Sequence, residues 1–346
     1  MKQYMKSLQH ALLVMPLCLT LSCVYAQPTT VVDQVNKSFN SITSVEVEGS
    51  FCQVNITSQA GDAVSLTGEI KADKQRDDVK IRYSESNNVL KVWIERPNSL
   101  MGNFDGRLEL KVPANTNINV DNSSGSVDVA NIGMATVTLK ASSGSIRASK
   151  IQSDITCQTS SGSQSIEAIS GSLKTSSSSG SQHIQNIGGG VETSASSGSI
   201  HVDGVGRNVT AETSSGSVSI NNTKGNVSAK ATSGSVKVSA AEGDVYAQTS
   251  SGSIQLNQIK GAVTTQSSSG SQSGNAITLT GNSTFSSSSG SISMSLTNNE
   301  TELSFDLSAS SGSLNAKGVS GDHSLKIDKG AIRVSGRSSS GSQSYR

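Results

Sequence analysis

Aromatic residues and proline are scarce in this 346-residue chain, which holds 1 Trp, 5 Tyr, 5 Phe and 4 Pro. With only 33% apolar residues as well, the thick core of an ordinary globular domain cannot be filled, so any fold must have a thin interior. Excess charge is lacking too. The 27 basic and 26 acidic residues leave a formal net charge of +1, which removes the self-repulsion that keeps charged chains disordered. The same balance, with no block of Lys or Arg, supplies no electrostatic footprint for nucleic acid or an anionic surface. No stretch approaches the roughly 20 apolar residues of a membrane-spanning helix. What the chain has in quantity is glycine, 33 residues, and serine around it.

The amino terminus has the plan of a targeting segment. Lys2 and Lys6 precede an apolar run from Ala11 to Leu21, and Val24, Tyr25 and Ala26 offer a signal-peptidase site with Gln27 opening the mature chain. Residues 1–26 are therefore expected to be a signal peptide and the protein to be exported, to the periplasm, the cell surface or the medium. Leu19-Thr20-Leu21-Ser22-Cys23 loosely resembles a lipobox, which makes Cys23 a candidate for lipidation. Cleavage after Ala26 would leave Cys52 and Cys157, which export would permit to pair; two separate buried thiols are the simpler reading.

Beyond residue 120 the chain repeats. Ser-Ser-Gly-Ser, once Thr-Ser-Gly-Ser, recurs with its glycine at Gly125, Gly144, Gly162, Gly180, Gly198, Gly216, Gly234, Gly252, Gly270, Gly290, Gly312 and Gly341. The spacing is 19, then 18 seven times, then 20, 22 and 29. A period held this long marks a stacked structural repeat rather than a linker. Numbering each motif glycine as zero, position −7 is wholly aliphatic: Val137, Ile155, Leu173, Val191, Val209, Val227, Val245, Val263. Position −5 is small or apolar, as in Leu139, Cys157 and Ala211, and +4 is mostly apolar, as in Ile166 and Ile184. Position +2 mixes Ile146, Ile200, Val218, Val236 and Ile254 with Gln164, Gln182 and Gln272. The positions between, −6 and +3, are mainly polar or charged.

Apolar positions two apart with polar ones between are the signature of short strands. The inward positions −7, −5, +2 and +4 lie 2, 7, 2 and 7 apart, dividing the coil into two halves of nine. That spacing predicts an all-β, two-sheet solenoid of about 18 residues per coil; a three-sided hexapeptide helix would show an apolar column every six residues. The motif glycines are expected at tight corners that need positive φ, with a second corner nine residues on, where Gly171, Gly189, Gly225, Gly243 and Gly261 stand. Position +7 is usually apolar (Ile151, Ile169, Ile187, Val205, Ile259), and its counterpart in the other half is taken as the motif Ser at −2. Stacked Ser hydroxyls are therefore expected to form ladders at that corner.

The chain thus divides into 1–26, a β-rich region over 27–120 serving as a cap, and the repeat solenoid over 121–346. Between Phe39 and Val120 the strands are longer and aperiodic, and Phe39, Phe51, Tyr83, Trp93 and Phe104 lie there as expected core filling.

Candidate chemistry is thin. Asp154 and Asp244 share a repeat position five coils apart, and Glu167 and Asp203 another two coils apart, so no acidic column forms. Calcium-binding β-rolls place Asp at their turns, where this chain has Ser. His183 and His201 share position +3 in adjacent coils and should stack on the outside, without an evident third metal ligand. A dozen copies of Ser-Ser-Gly-Ser argue for turn chemistry rather than a nucleophile. Between Gly125 and Gly270 only Tyr246 offers an aromatic surface. No catalytic residue, cofactor or metal is expected.

An export signal, a β-rich amino-terminal region and Ser-Gly-Ser turns between short Val/Ile strands resemble the bacterial putative-adhesin families DUF4097 and DUF2807 (head GIN domain), from about Phe39 to the end. The resemblance implies a two-sheet β-superhelix with a role in cell adhesion and no catalytic residues to carry over. The ending Gly341-Ser342-Gln343-Ser344-Tyr345-Arg346 has neither a barrel nor a sorting anchor, which argues against a self-inserting autotransporter. The leading expectation is a non-enzymatic solenoid presenting a polar Ser/Thr/Asn-rich face to a surface ligand, glycan or protein. A pectate-lyase-like enzyme and a ligand-free envelope spacer are the alternatives.

Overall fold

The computed structural model describes residues 30–346, so residues 1–26, expected to be a signal peptide, and Cys23 lie outside the described residues. Among the described residues, apart from one 3-10 turn at Glu300–Glu302, every regular element is a strand, and the strands form two sheets of 17 and 16.

One coil shows how the repeat works. Leu173–Ser177 lies in the 16-stranded sheet with burial alternating residue by residue, so positions −7, −5 and −3 point inward. The four-residue Ser-Ser-Gly-Ser corner follows, and Gln182–Ile187 then runs in the other sheet with +2, +4 and +7 inward. A short corner leads to Val191–Ala195, which pairs in parallel directly over Leu173–Ser177. Six side chains per coil face the interior, not four. The −7 column is one continuous stack: Val137, Ile155, Leu173, Val191, Val209, Val227, Val245 and Val263 pair in register. Each is 3% exposed or less.

The two halves are unequal because each longer strand carries one residue in the left-handed region at +6. Asn131, Lys150, Ala168, Asn186, Gly204, Asn222, Ala240, Gln258 and Ala276 all have φ between 53° and 73°. Pairing skips this residue, running Glu167 to Gln185 and then Ile169 to Ile187. The bulge advances the alternation by one, which turns +7 from a corner residue into a core residue. Its counterpart is −3 rather than −2.

Two expectations about the corners are corrected by this geometry. The Ser-Gly-Ser motif glycines from Gly125 to Gly290 do not occupy the left-handed region, whereas Gly312 and Gly341 have φ of 122° and 149°. They are glycine because coils approach there within contact distance: a Cβ on Gly162 would overlap Gly144 O, and one on Gly180 would overlap Gly162 O. Nor do the Ser hydroxyls at −2 and −1 form ladders; from Ser142 to Ser251 they are exposed, while their backbone N–H groups donate to the coil before, as in Ser161 N to Ser142 O at 2.8 Å. The inward hydroxyls of this corner are at −3, where Thr213 and Thr249 donate to Gly198 O and Gly234 O at 3.0 and 2.8 Å. Side-chain ladders form at the opposite corner, at +10. There Asp154, Asn208, Asn226 and Asp244 accept from the N–H of Ser172, Asn226, Asp244 and Ala262 at 2.7–2.9 Å.

The mixed +2 column is explained inside the core. Gln164 and Gln182 are 1% exposed, and their amides donate across the interior to Ser176 O and Ser194 O at 2.7 and 2.6 Å. Their carbonyls accept from Thr175 and Thr193. Where +2 is aliphatic, as at Ile200, Val218 and Val236, the facing −5 residue of the next coil is Ala211, Ala229 or Ala247. From Gln164 to Val236 a buried amide thus occurs with its hydroxyl partner and a branched aliphatic with a small residue, while Gln272 accepts from Thr265 of its own coil instead.

The ends are not stacked in chain order. Ser44–Ser50 lies between Val89–Glu95 and Asn117–Asn122, and Gln53–Gln59 between Phe104–Pro113 and Val127–Ile132. The first coil in sequence is therefore second in space. At the other end Ile332–Ser340 lies between Ser283–Ser289 and Leu303–Ser311, and Gln343–Tyr345 between Ile292–Leu296 and Leu314–Ala316. Antiparallel strands then cover both ends: Lys80–Ser86 and Val64–Ala72 at one, Ser324–Ile327 and Val319–Gly321 at the other. The aromatic side chains are shared between the ends, because Phe285, Phe305 and Tyr345 cluster at 5.6–5.7 Å in the carboxy-terminal coils. Residues 30–120 do not form a separate layer; their strands continue the same two sheets.

Candidate binding faces

With −7, −5, −3, +2, +4 and +7 turned inward, the side chains at −6 and −4 cover the outside of one sheet and those at +3 and +5 the outside of the other. Each face repeats at the strand spacing of about 4.8 Å. Fourteen coils stack in the two sheets, so each face extends roughly 60 Å along the axis.

On the −6/−4 face, oppositely charged residues one coil apart pair: Lys174 with Glu192 and Lys230 with Glu212, each at 2.7 Å. Glu212 beside it holds the Lys230 ammonium above its ordinary value, first through the hydrogen bond and then through charge. These pairs are solvent-exposed and contribute little stability. Tyr246 donates to Gln248 Oε1 at 2.9 Å. On the +3/+5 face His183 and His201 stack with centroids 5.0 Å apart and planes at 7°, as adjacent in-register strands require. Among the described residues no group of three His, Cys, Asp or Glu side chains is close enough to hold a metal ion. Asp154 and Asp244 act in the corner ladder, and Asp203 accepts from Asn222 Nδ2 at 2.6 Å.

The outer surface is indented in several places, one of them near the amino-terminal end of the −6/−4 face. A groove of about 430 Å³ lies there, lined by Glu46, Glu48, Asp121, Asn119, Arg96 and Lys140 among others. Glu48 and Asp121 sit side by side on neighbouring strands, as do Asp121 and Lys140. Lys91 bonds Glu48 at 2.7 Å, and that hydrogen bond with the carboxylate charge raises the Lys91 pKa. On the other side of Glu48, in register, stands Trp93. Trp93 is not core filling: in Val89–Glu95 the buried residues are Leu90, Val92 and Ile94, and Lys91 and Trp93 are half-buried on the outer face. The signal was legible, since Trp93 shares its phase with Lys91 and Glu95.

The predicted structural residues fall into two sets. The aliphatic column is in the core, and the motif glycines from Gly125 to Gly270 line one corner. Cys52 occupies the place of a motif glycine beneath Gly125, and Cys157 stands in the −5 column between Leu139 and Thr175. Both thiols are free and buried; burial first, then the Asp105 charge, pushes Cys52 up to about 12, and burial raises Cys157 as well.

The protein is accordingly a two-sheet parallel β-solenoid with capped ends. It belongs to the Toastrack DUF4097 family, whose model matches residues 42–244 and 206–344. Two solved structures are similar over most of their length. One is described as a putative adhesin from Bacteroides fragilis (13% identity, 93% of this chain and 100% of that one, TM-score 0.27). The other is described as a putative cell adhesion protein from Clostridium sporogenes (10% identity, 90% and 98%, TM-score 0.20). No curated protein matches the chain.

Proposed function

We propose that the protein is a non-enzymatic, exported, adhesin-like scaffold whose polar faces make repeated weak contacts with a cell-surface or envelope ligand. The observation that carries this reading is the pair of outer faces, on which Ser, Thr, Asn and paired charges recur at one spacing over roughly 60 Å. Contacts that are individually weak gain strength when a rigid array presents many at once. Against the enzyme reading stands the engagement of most carboxylates: Glu192, Glu212 and Glu48 are tied to lysines, and Asp154 and Asp244 to backbone N–H groups, which leaves Glu46 and Asp121 of the amino-terminal groove as the pair that incubation on polysaccharides tests. A general acid and base need free carboxyls facing one substrate.

Binding of the purified mature chain to whole cells and a glycan array, with incubation on polysaccharides, tests the reading. Saturable attachment without new reducing ends is expected. Released oligosaccharides would replace the reading with an enzyme, and blank binding would leave a spacer. Mass spectrometry of the mature amino terminus separates lipidated Cys23 from free Gln27, and so a tethered scaffold from a released one.

A further inference from the structure

We propose that the groove lined by Glu46, Asp121, Arg96 and Lys140 is a site for a neutral saccharide that extends over its edge onto Trp93, which stands outside the lining in register with Glu48 and serves as the apolar platform. The proposal deepens the adhesin-like reading and rests on it for the biological source of the ligand, though not for the chemistry of the groove.

The first argument is what the groove leaves unengaged. In the repeats, the charges of this face are largely paired across one coil. Around the groove, by contrast, Glu46, Asp121, Asn119 and Lys140 have no side-chain partner among the described residues. The Arg96 guanidinium is held at the rim by donation from Nε to Ser50 Oγ at 2.7 Å. Nearly all the groove's polar groups stand on strands rather than loops. Behind them Asn122 ties the corner together, donating to Cys52 O and Gly125 O at 2.9 and 2.6 Å. Donors and acceptors set at strand spacing around a depression suit a ligand that both donates and accepts at closely spaced points, as ring hydroxyls do.

The second argument is the indole. Trp93 is the chain's single tryptophan and lies half-buried on the outer face, flanked in register by Arg82 and Glu48. Arg82 is locked to Glu95 at 2.5 Å and Glu48 to Lys91 at 2.7 Å, so the ring is bordered by satisfied charges. A half-exposed aromatic beside fixed polar groups supplies the surface on which the C–H face of a sugar packs. Charge then selects the class. Three carboxylates line the groove against Arg96 and Lys140, which disfavours uronates and sulfated glycans and favours neutral hexoses or N-acetylhexosamines.

Because Trp93 is the sole indole, its fluorescence reports on this site alone. The test titrates the mature chain with cellotetraose, mannotetraose, N-acetylchitotetraose and polygalacturonate, and runs wild type and Trp93→Ala on a neutral-glycan array. A saturable change with a neutral probe is expected, weakened about tenfold or more by Asp121→Asn and Arg96→Ala at unchanged thermal stability. Array binding should be lost in Trp93→Ala and kept in part by Trp93→Phe. A response to polygalacturonate alone overturns the assignment, as does array binding that Trp93→Ala retains. A silent indole and a blank array also overturn it. If cells are then still bound, the adhesin-like reading survives with a protein ligand; if they are not, both readings fall.

Discussion

The same word, glycine, has two meanings in this chain, and single residues separate them. At the Ser-Gly-Ser corner glycine is required by proximity, because a Cβ on Gly162 would overlap the carbonyl of Gly144 in the coil below. No rotamer relieves a backbone clash. Gly162→Ala is therefore expected to cost about 3 kcal/mol or more, read as a fall in thermal midpoint. At the bulge, by contrast, glycine is favoured by φ and seldom present. Ala168 and Ala240 sit at 56° and 53°, where an L residue is strained by about 1 to 2 kcal/mol. Ala240→Gly should raise stability by roughly 1 kcal/mol, while Ser239→Gly, one residue earlier in ordinary strand conformation, should lower it by about 0.5 to 1 kcal/mol. A lower midpoint for both would show that the bulge is not strained. The period placed the corners but could not reveal this division, because left-handed residues vary from Asn to Lys to Ala and leave no compositional trace.

At the level of the strand, facing is set by alternation, and pairing across the core is set by volume and hydrogen bonding. Val227→Asp would put a charge into the aliphatic stack between Val209 and Val245, whereas Ser228→Asp stays on the outer face. The first should unfold several coils and the second should be nearly silent; equal shifts in thermal unfolding would overturn the facing. Gln182 and Thr193 provide a sharper test. Gln182→Ile alone strands the Thr193 hydroxyl in the interior, at a cost of about 1 to 3 kcal/mol. Adding Thr193→Ala recreates the pairing of Ile200 with Ala211 and should recover most of that loss, so a double-mutant cycle should show strong coupling. Additive effects would mean that the two residues do not interact. This coupling was present in the sequence as a correspondence between the +2 and −5 columns. It became readable only when the bulge fixed which half-coils face each other.

Across the whole molecule, stability comes from stacking, since each coil's strands find backbone partners only above and below. Deleting Ser199–Gly216 removes one full period and rejoins Gly198 to Ser217 with every column in place. That variant is expected to fold with strand content like the parent and a modestly lower midpoint. Removing everything after Gly330 deletes a similar length but takes out Ile332–Ser340, which lies between Ser283–Ser289 and Leu303–Ser311, and Gln343–Tyr345, which lies between Ile292–Leu296 and Leu314–Ala316. The final coils should then detach, exposing Phe285 and Phe305 and lowering the midpoint further; protection measured by hydrogen exchange locates the loss. Similar outcomes for the two deletions would show that the inserted coil does not hold the carboxy-terminal end. Because both ends place a coil of one terminal segment inside the stack and cover the outermost strands with antiparallel partners, fraying from either end meets paired strands first.

The period, the two-sheet class and the aliphatic stack were determined by the amino-acid order alone, because local alternation and an exact repeat length leave few ways for strands to bury their apolar sides. Tertiary structure decided the rest. The unequal half-coils depend on a backbone angle that side-chain identity barely encodes, and the order of the end coils depends on pairings between segments far apart in the chain. The groove beside Trp93 exists only because Asn117–Asn122 and Val89–Glu95 flank the strand that carries Glu46 and Glu48. Residues that share a repeat can be aligned by counting, but neighbours brought together by an inserted coil have no fixed separation to count.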